Sequence, residues 1–191
     1  MKKIIAIAGS NNKSSQTYRL LKLWLKRMSE LDDTVQYEVL LLRDFKLAMC
    51  EGCGTCLDKG ECTLDQEDDM PLLREKMLES DIIIFSSPVY HQNMSGIMKN
   101  FIDRVAFDSH KLVLPGKLGF TLTTTSFLGG KNVSDMLWQI QTSFGIKNID
   151  NFVFRDACDD ELVSSDEWAK VAIEDLKYQM EFGGQLLANE G

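Results

Sequence analysis

The fold is decided by the stretch Asp81-Ile82-Ile83-Ile84-Phe85-Ser86-Ser87-Pro88. Its apolar run is continuous rather than alternating, and it ends in two serines and a proline. A short, continuous apolar run is typical of a strand that is buried on both faces of a parallel sheet. The stretch therefore predicts a central parallel strand, followed by a loop that turns at Pro88.

Strands and helices alternate along the chain on both sides of this stretch. The other predicted strands are Lys3–Ala8, Val35–Leu42, Lys117–Thr123 and Asn148–Phe154, and the predicted helices are Ser15–Met28, Pro71–Leu78, Ser95–Val105, Asn132–Phe144 and one from Ser165 or Asp166 onward. Such alternation predicts an α/β three-layer sandwich, in which helices cover both faces of a parallel sheet. For five strands we expect the order 2-1-3-4-5, in one domain over residues 1–191.

Composition excludes several classes of protein. The chain has 29 acidic and 21 basic side chains, and this net charge of -8 argues against nucleic acid and anionic membranes as partners. No stretch approaches the roughly 20 apolar residues of a membrane-spanning helix. Five cysteines, an odd number, argue against a secreted disulfide framework. We therefore expect a cytoplasmic protein with reduced thiols.

Ligands of such sheets bind at the carboxyl ends of the strands, where the strand order reverses. The loop after the first strand reads Gly9-Ser10-Asn11-Asn12-Lys13-Ser14-Ser15-Gln16-Thr17 and leads into a helix. A helix N-terminus with short hydroxyl side chains favours a phosphate group. With a single glycine and no Gly-Lys-Ser/Thr, the loop matches neither a dinucleotide fingerprint nor a Walker A motif. An ordinary βα loop with Ser15 as N-cap is the alternative.

Two more polar loops are expected at the same edge. Ser86 to Ser95 combines a rigid proline, Tyr90 and several amides, which suits a flat ring with polar edges such as isoalloxazine. His91 is either a proton donor or polar surface. The loop from Thr123 to Gly130 either completes the pocket with its hydroxyls or only turns the chain into a helix.

A cysteine-rich segment follows the second strand. Cys50, Cys53, Cys56 and Cys62 have the spacing C-x2-C-x2-C-x5-C, which suits iron–sulfur ligation. Structural zinc fits less well, because its four-cysteine sites usually consist of two separated C-x2-C pairs. Free, reduced thiols are the third alternative.

Two of these loops resemble the NADPH-dependent FMN reductase and flavodoxin-like reductase superfamily. The match lies in Gly9-Ser10 through Thr17 and, more specifically, in Ser87-Pro88-Val89-Tyr90 with Met94-Ser95, Lys99 and Phe101-Ile102-Asp103-Arg104. The resemblance implies a flavodoxin-like fold, FMN as cofactor, NAD(P)H and a small acceptor as substrates, and a homodimer or homotetramer. It implies phosphate contacts at Ser10, Ser15, Gln16 and Thr17, and ring contacts at Pro88, Val89, Tyr90 and Asn93. Thr124 and Ser126 of the third loop are further candidate contacts.

The cysteine run is similar to that of the iron–sulfur flavoproteins, relatives of the same fold that carry a [4Fe–4S] cluster. Three functions follow as hypotheses. The first is an FMN-dependent oxidoreductase that passes electrons from NAD(P)H to a quinone, flavin, nitro or azo compound. The second is an iron–sulfur flavoprotein, with ferredoxin as a further partner, and the third is a non-catalytic FMN-binding or thiol redox sensor. The first function does not require a catalytic acid or base, and no catalytic residue is assigned.

Overall fold

The computed structural model describes residues 1–111, 113–155 and 169–178. Six strands in these ranges form one sheet. They are β1 (Lys2–Ala8), β2 (Val35–Leu41), β3 (Ile82–Tyr90), β4 (Asn93–Met94), β5 (Leu118–Thr125) and β6 (Lys147–Arg155). All but β4 are parallel to their neighbours, in the order β2-β1-β3-β5-β6.

Helices follow the strands. They are α1 (Gln16–Leu31), α2 (Thr55–Lys59), α3 (Met70–Leu78), α4 (Gly96–Val105) and α5 (Gly130–Ser143), with 3-10 turns at Leu42–Asp44, Thr63–Gln66 and Ala106–Lys111. Residues 169–178 are helical as well, and they belong to the last predicted helix; the predicted caps Ser165 and Asp166 lie outside the described residues. None of the helices in the described ranges combines the length and the apolarity that crossing a bilayer requires.

The side chains of β1 show why the fold has three layers. Ile4, Ala6 and Ala8 pack against α1 and the helical residues 169–178, whereas Ile5 and Ile7 pack against α3, α4 and α5. All five residues are fully buried. Burial on both faces requires a helical layer on each side of the sheet. The predicted flavodoxin-like α/β sandwich is therefore confirmed, with its parallel strands in the predicted order.

The prediction of five strands omitted β4. This two-residue strand pairs antiparallel with the end of β3, Tyr90 opposite Asn93 and Val89 opposite Met94. Between them His91 and Gln92 both have positive φ angles, 49° and 63°. Two successive positive φ values match a type I′ hairpin turn, which asparagine and glycine usually occupy. No such pair signals this turn in the sequence.

Candidate functional site

The loops after β1 and β3 are held together at the point where the strand order reverses. The Gly9 N–H donates to the Ser86 carbonyl at 2.7 Å, and Ser95 Oγ donates to the Gly9 carbonyl at 2.5 Å. A Cβ added to Gly9 would lie 2.6 Å from Cβ of Met98, which leaves no room for a larger residue. The absence of a side chain at Gly9 therefore lets the first loop lie against α4.

The first loop is closed by its own side chains. Ser10 is buried, and its Oγ accepts from the Asn12 N–H at 3.2 Å. Ser15 caps α1, since its Oγ accepts from the Tyr18 N–H at 3.2 Å. The predicted N-cap is thus observed. The first turn of α1, all of it described, contains no acidic residue, so nothing there opposes an anion at the helix N-terminus.

The third loop meets the other two. Thr17 and Thr124 are both buried, and their hydroxyl oxygens lie 2.5 Å apart. Gly129 has a φ angle of 90°, and a Cβ added there would lie 2.8 Å from Cα of Gln92. The structure therefore brings the three polar loops predicted from the sequence to one edge of the sheet.

Side chains around this edge differ in exposure. Pro88 is buried, Val89 is half-buried, and Asn93 and Ser126 are exposed. Large apolar or aromatic groups also face solvent, namely Tyr90 (56% exposed), Phe127 (81%) and Leu128 (69%). A flat aromatic ligand would cover such groups, and a helix N-terminus beside them would receive its phosphate. The residues present therefore fit FMN.

The cysteine segment, defined here as residues 48–68, lies beside these loops on α4. Cys50 and Cys53 are exposed, Cys56 and Cys62 are half-buried, and all four thiols are free. Within the described ranges, no three Cys, His, Asp or Glu side chains are arranged to hold a metal ion. Burial, and to a lesser extent the neighbouring Cys62, Cys50 and Cys53, raise the pKa of Cys56.

The backbone of this segment suits a folded ligand loop. Gly52, Gly54 and Gly60 have φ angles of 65°, 75° and 73°, values that favour glycine. A hydrogen bond from the Thr55 hydroxyl lowers the pKa of Cys53, which favours the thiolate that binds metal. With four free thiols and glycine turns between them, the donor set fits a thiolate-ligated cluster at Cys50, Cys53, Cys56 and Cys62.

Two side chains of α4 bind the start of the cysteine segment, and sequence analysis did not identify this role for either. Asn100 Oδ1 accepts from the Cys50 N–H at 3.0 Å, and Asn100 Nδ2 donates to the Ala48 carbonyl at 3.2 Å. Arg104 Nη1 donates to the same carbonyl at 2.9 Å. The only sequence signal was that both residues lie in the stretch that resembles the reductase superfamily.

Arg104 also belongs to a network of buried charges. It forms ion pairs with Asp65 and Asp68, and its own side chain and that of Asp68 are fully buried. Arg74 pairs with Asp65 and, at 2.8 Å, with Asp108. Although burial opposes the charged form, hydrogen bonds to Asp68 and Asp65 raise the pKa of Arg104. The network therefore stays ionised and fixes the end of the cysteine segment.

A cleft of about 400 Å³ lies between the first loop, residues 43–47 and α4. Its lining residues are Asn11, Arg43, Phe45, Leu47, Ile97 and Asn100. Arg43 Nη1 donates to the Asn11 carbonyl at 2.5 Å, so the guanidinium supports the first loop. Sequence analysis did not single out Arg43.

Two known proteins of similar sequence are named for a flavin, and one of them is also named for an iron–sulfur cluster. An iron–sulfur flavoprotein of Archaeoglobus fulgidus is 34% identical over 145 residues, which cover 75% of this chain and 64% of that protein. An FMN-dependent NADPH-azoreductase of Staphylococcus aureus is 29% identical over 60% of this chain and 58% of its own. The chain thus spans less than two thirds of the length of these curated relatives.

A solved structure supports the fold. The azoreductase of Bacillus anthracis superposes with a TM-score of 0.71 at 15% identity, over 91% of this chain and all of that chain. The family model described as NADPH-dependent FMN reductase matches residues 2–158, most of the chain. This protein therefore belongs to the NADPH-dependent FMN reductase family, as its loops predicted, and FMN is the cofactor of that family.

Proposed function

We propose that this protein is an FMN-dependent oxidoreductase in which Cys50, Cys53, Cys56 and Cys62 hold a [4Fe–4S] cluster that exchanges electrons with FMN. The observation that carries the proposal is that one helix, α4, contacts both the flavin loops and the cysteine segment. Ser95, at its start, binds the first loop, and Asn100 binds the Cys50 N–H. Five residues of helix correspond to a rise of about 7.5 Å. The two candidate cofactor sites are therefore close neighbours.

For the flavin we propose the phosphate contacts predicted from the sequence, at Ser10, Ser15, Gln16 and Thr17. Ser10 and Ser15 already bond within the loop through their Oγ atoms, which leaves the α1 N-terminus as the main attraction for the phosphate. Ring contacts at Pro88, Val89, Tyr90 and Asn93, with Thr124 and Ser126 nearby, complete the proposed site. When bound, FMN supplies the exchange of electrons between a nicotinamide and an acceptor.

The close spacing of the four cysteines, together with the names of similar proteins, favours the cluster over a zinc site and over free thiols. All four lie within thirteen residues of one loop. Relatives that are 34% and 39% identical are named iron–sulfur flavoproteins. The proposed role of this chain is to supply four thiolates, because these are the usual ligands of a [4Fe–4S] cluster.

A second candidate function is a cluster-free reductase that uses NAD(P)H to reduce a quinone, flavin, nitro or azo compound. It is favoured by the exposure of Cys50 and Cys53, and by the relative named FMN-dependent NADPH-azoreductase. In this case the exposed Tyr90 and Phe127 would form the wall against which a flat acceptor binds.

Electron donor and assembly are part of the proposal. NAD(P)H is the donor in the reductase function, and ferredoxin is an alternative where the cluster is present. We expect a homodimer or homotetramer, because Tyr90, Phe127 and Leu128 would be covered by a second copy at the rim of the site. Light scattering of the FMN-loaded protein tests the assembly.

Anaerobic purification with iron and flavin assays separates the two functions. The cluster function predicts a brown protein with one FMN and about four irons per chain. Cys53→Ser should lose the iron and keep the FMN. Cys158→Ser, outside both the cysteine run and the described residues, is the matched control and should keep both. Yellow, iron-free protein after reconstitution would favour the second function, and failure to bind FMN would contradict both.

A further inference from the structure

The two ends of the cysteine segment meet on one side of α4. Asn100 and Arg104 are four residues apart, so they lie on the same face of the helix. Between them they make three hydrogen bonds to the segment's start, at the Ala48 carbonyl and the Cys50 N–H. A side-chain amide that binds one donor and one acceptor of a backbone fixes that backbone much as a neighbouring strand would.

Arg104 also binds the other end of the segment. Its Nη2 donates to Asp65 at 2.9 Å and to Asp68 at 3.2 Å. Ala48 precedes Cys50 by two residues, and Asp65 follows Cys62 by three. One buried guanidinium therefore ties together the two ends of the stretch that carries all four thiols.

One donor of Arg104 is left over. Its Nε is buried and finds no hydrogen-bond partner in the part of the chain that the structure describes. A buried donor without a partner is costly, and such atoms call for an explanation. Asp65, which accepts a hydrogen bond from Arg104 Nη2, follows Cys62 by only three residues, so the chain places this thiol on the side of the guanidinium. A thiolate or sulfide sulfur would be a suitable acceptor for the spare N–H.

We propose that Asn100 and Arg104 are positioning residues, which hold Cys50 and Cys62 together for one iron–sulfur cluster. Arg104 also places its positively charged guanidinium beside the cluster. The proposal rests on the proposed cluster function. Neither residue ligates iron. Asn100 sets the backbone at Cys50, and Arg104 closes the segment and offers the spare Nε–H to sulfur. Partners of metal ligands orient the ligands and tune the metal in this way.

The test uses the FMN-loaded holoprotein, purified and reconstituted anaerobically. Asn100→Ala removes the bonds to Ala48 and Cys50, and Arg104→Lys keeps the charge but loses the fork and the Nε–H. Lys99→Ala, an exposed neighbour on α4 with no bond to the cysteine segment among the described residues, is the matched control. Iron release to a ferrous chelator and the electron paramagnetic resonance spectrum of the reduced protein are measured.

We expect iron release about 10-fold faster from Asn100→Ala and Arg104→Lys than from wild type, with a changed resonance spectrum. Lys99→Ala should match wild type in these two measurements, and all folded variants should keep one FMN. If Arg104→Lys does not fold, Asn100→Ala decides alone. If wild type holds a cluster and Asn100→Ala equals it in iron release and in spectrum, the positioning role is overturned. Wild type without iron would overturn the cluster function and this inference together.

Discussion

The side-chain oxygens of Thr17 and Thr124 lie 2.5 Å apart, although 107 residues separate them in the chain. Thr17 is in the first turn of α1, and Thr124 is near the carboxyl end of β5. Both are buried, so this hydrogen bond joins the first and third loops of the site without competition from water. The loops that are proposed to bind FMN therefore form one unit before any ligand is bound.

Replacement of either threonine by valine tests this link. Thr17→Val or Thr124→Val keeps the shape but leaves one buried hydroxyl unpaired, which costs about 1–3 kcal/mol of unfolding free energy. The double variant removes both hydroxyls and should be less destabilised than the sum of the single variants. Urea denaturation of the apoprotein measures all three. Strict additivity would show that the two hydroxyls do not interact.

Gly9 allows the close approach of the first loop and α4. Gly9→Ala would place a Cβ 2.6 Å from Cβ of Met98, and overpacking of this kind typically costs about 1–3 kcal/mol. We expect a lower melting temperature and weaker FMN binding, measured by flavin fluorescence. Gly96→Ala is the matched control, because a Cβ there meets no atom within 4 Å. Equal effects of the two substitutions would contradict the steric explanation.

The sequence was most informative where a local pattern determines structure. The apolar runs at Ile4–Ala8 and Ile82–Phe85 predicted the central strands, and the polar loops after them predicted the site. Short-range signals failed where contacts are distant or the turn residues are atypical. Nothing local indicates that Asn100 binds the Cys50 N–H, or that His91 and Gln92 adopt positive φ angles. Such features follow from the packing of α4 and β3.

Asp68 should give the protein a stability that depends on pH. Burial by itself would raise the pKa of Asp68, but hydrogen bonds from Arg104 and from the Met70 and Ala48 N–H groups outweigh it and lower the pKa. A lowered folded-state pKa stabilises the protein above the unfolded value of about 4. This contribution is lost as the pH falls through the lower, folded value.

Asp68→Asn should therefore destabilise the apoprotein by about 3 kcal/mol at pH 7, since it leaves a buried guanidinium short of a partner. The difference from wild type should shrink as the pH falls below about 4. Asp103→Asn, which breaks the exposed pair with Lys99, is the control and should change stability by less than about 1 kcal/mol. Urea denaturation between pH 7 and pH 3 measures both. A difference that does not change with pH would exclude titration of Asp68 as its source.

Tyr90 tests whether the exposed aromatic side chains at the site serve the flavin. Its ring is 56% exposed beside the type I′ turn, whereas Tyr37 on the edge strand β2 is 39% exposed and far from the site loops in the sheet order. Stacking or edge contacts between aromatic rings contribute about 0.5–1.5 kcal/mol, so Tyr90→Ala should raise the Kd of FMN up to about 10-fold. Tyr90→Phe should bind FMN like wild type, because the ring is kept, and so should Tyr37→Ala. If Tyr90→Ala also binds FMN like wild type while the oligomer dissociates, the ring covers a second copy rather than the flavin.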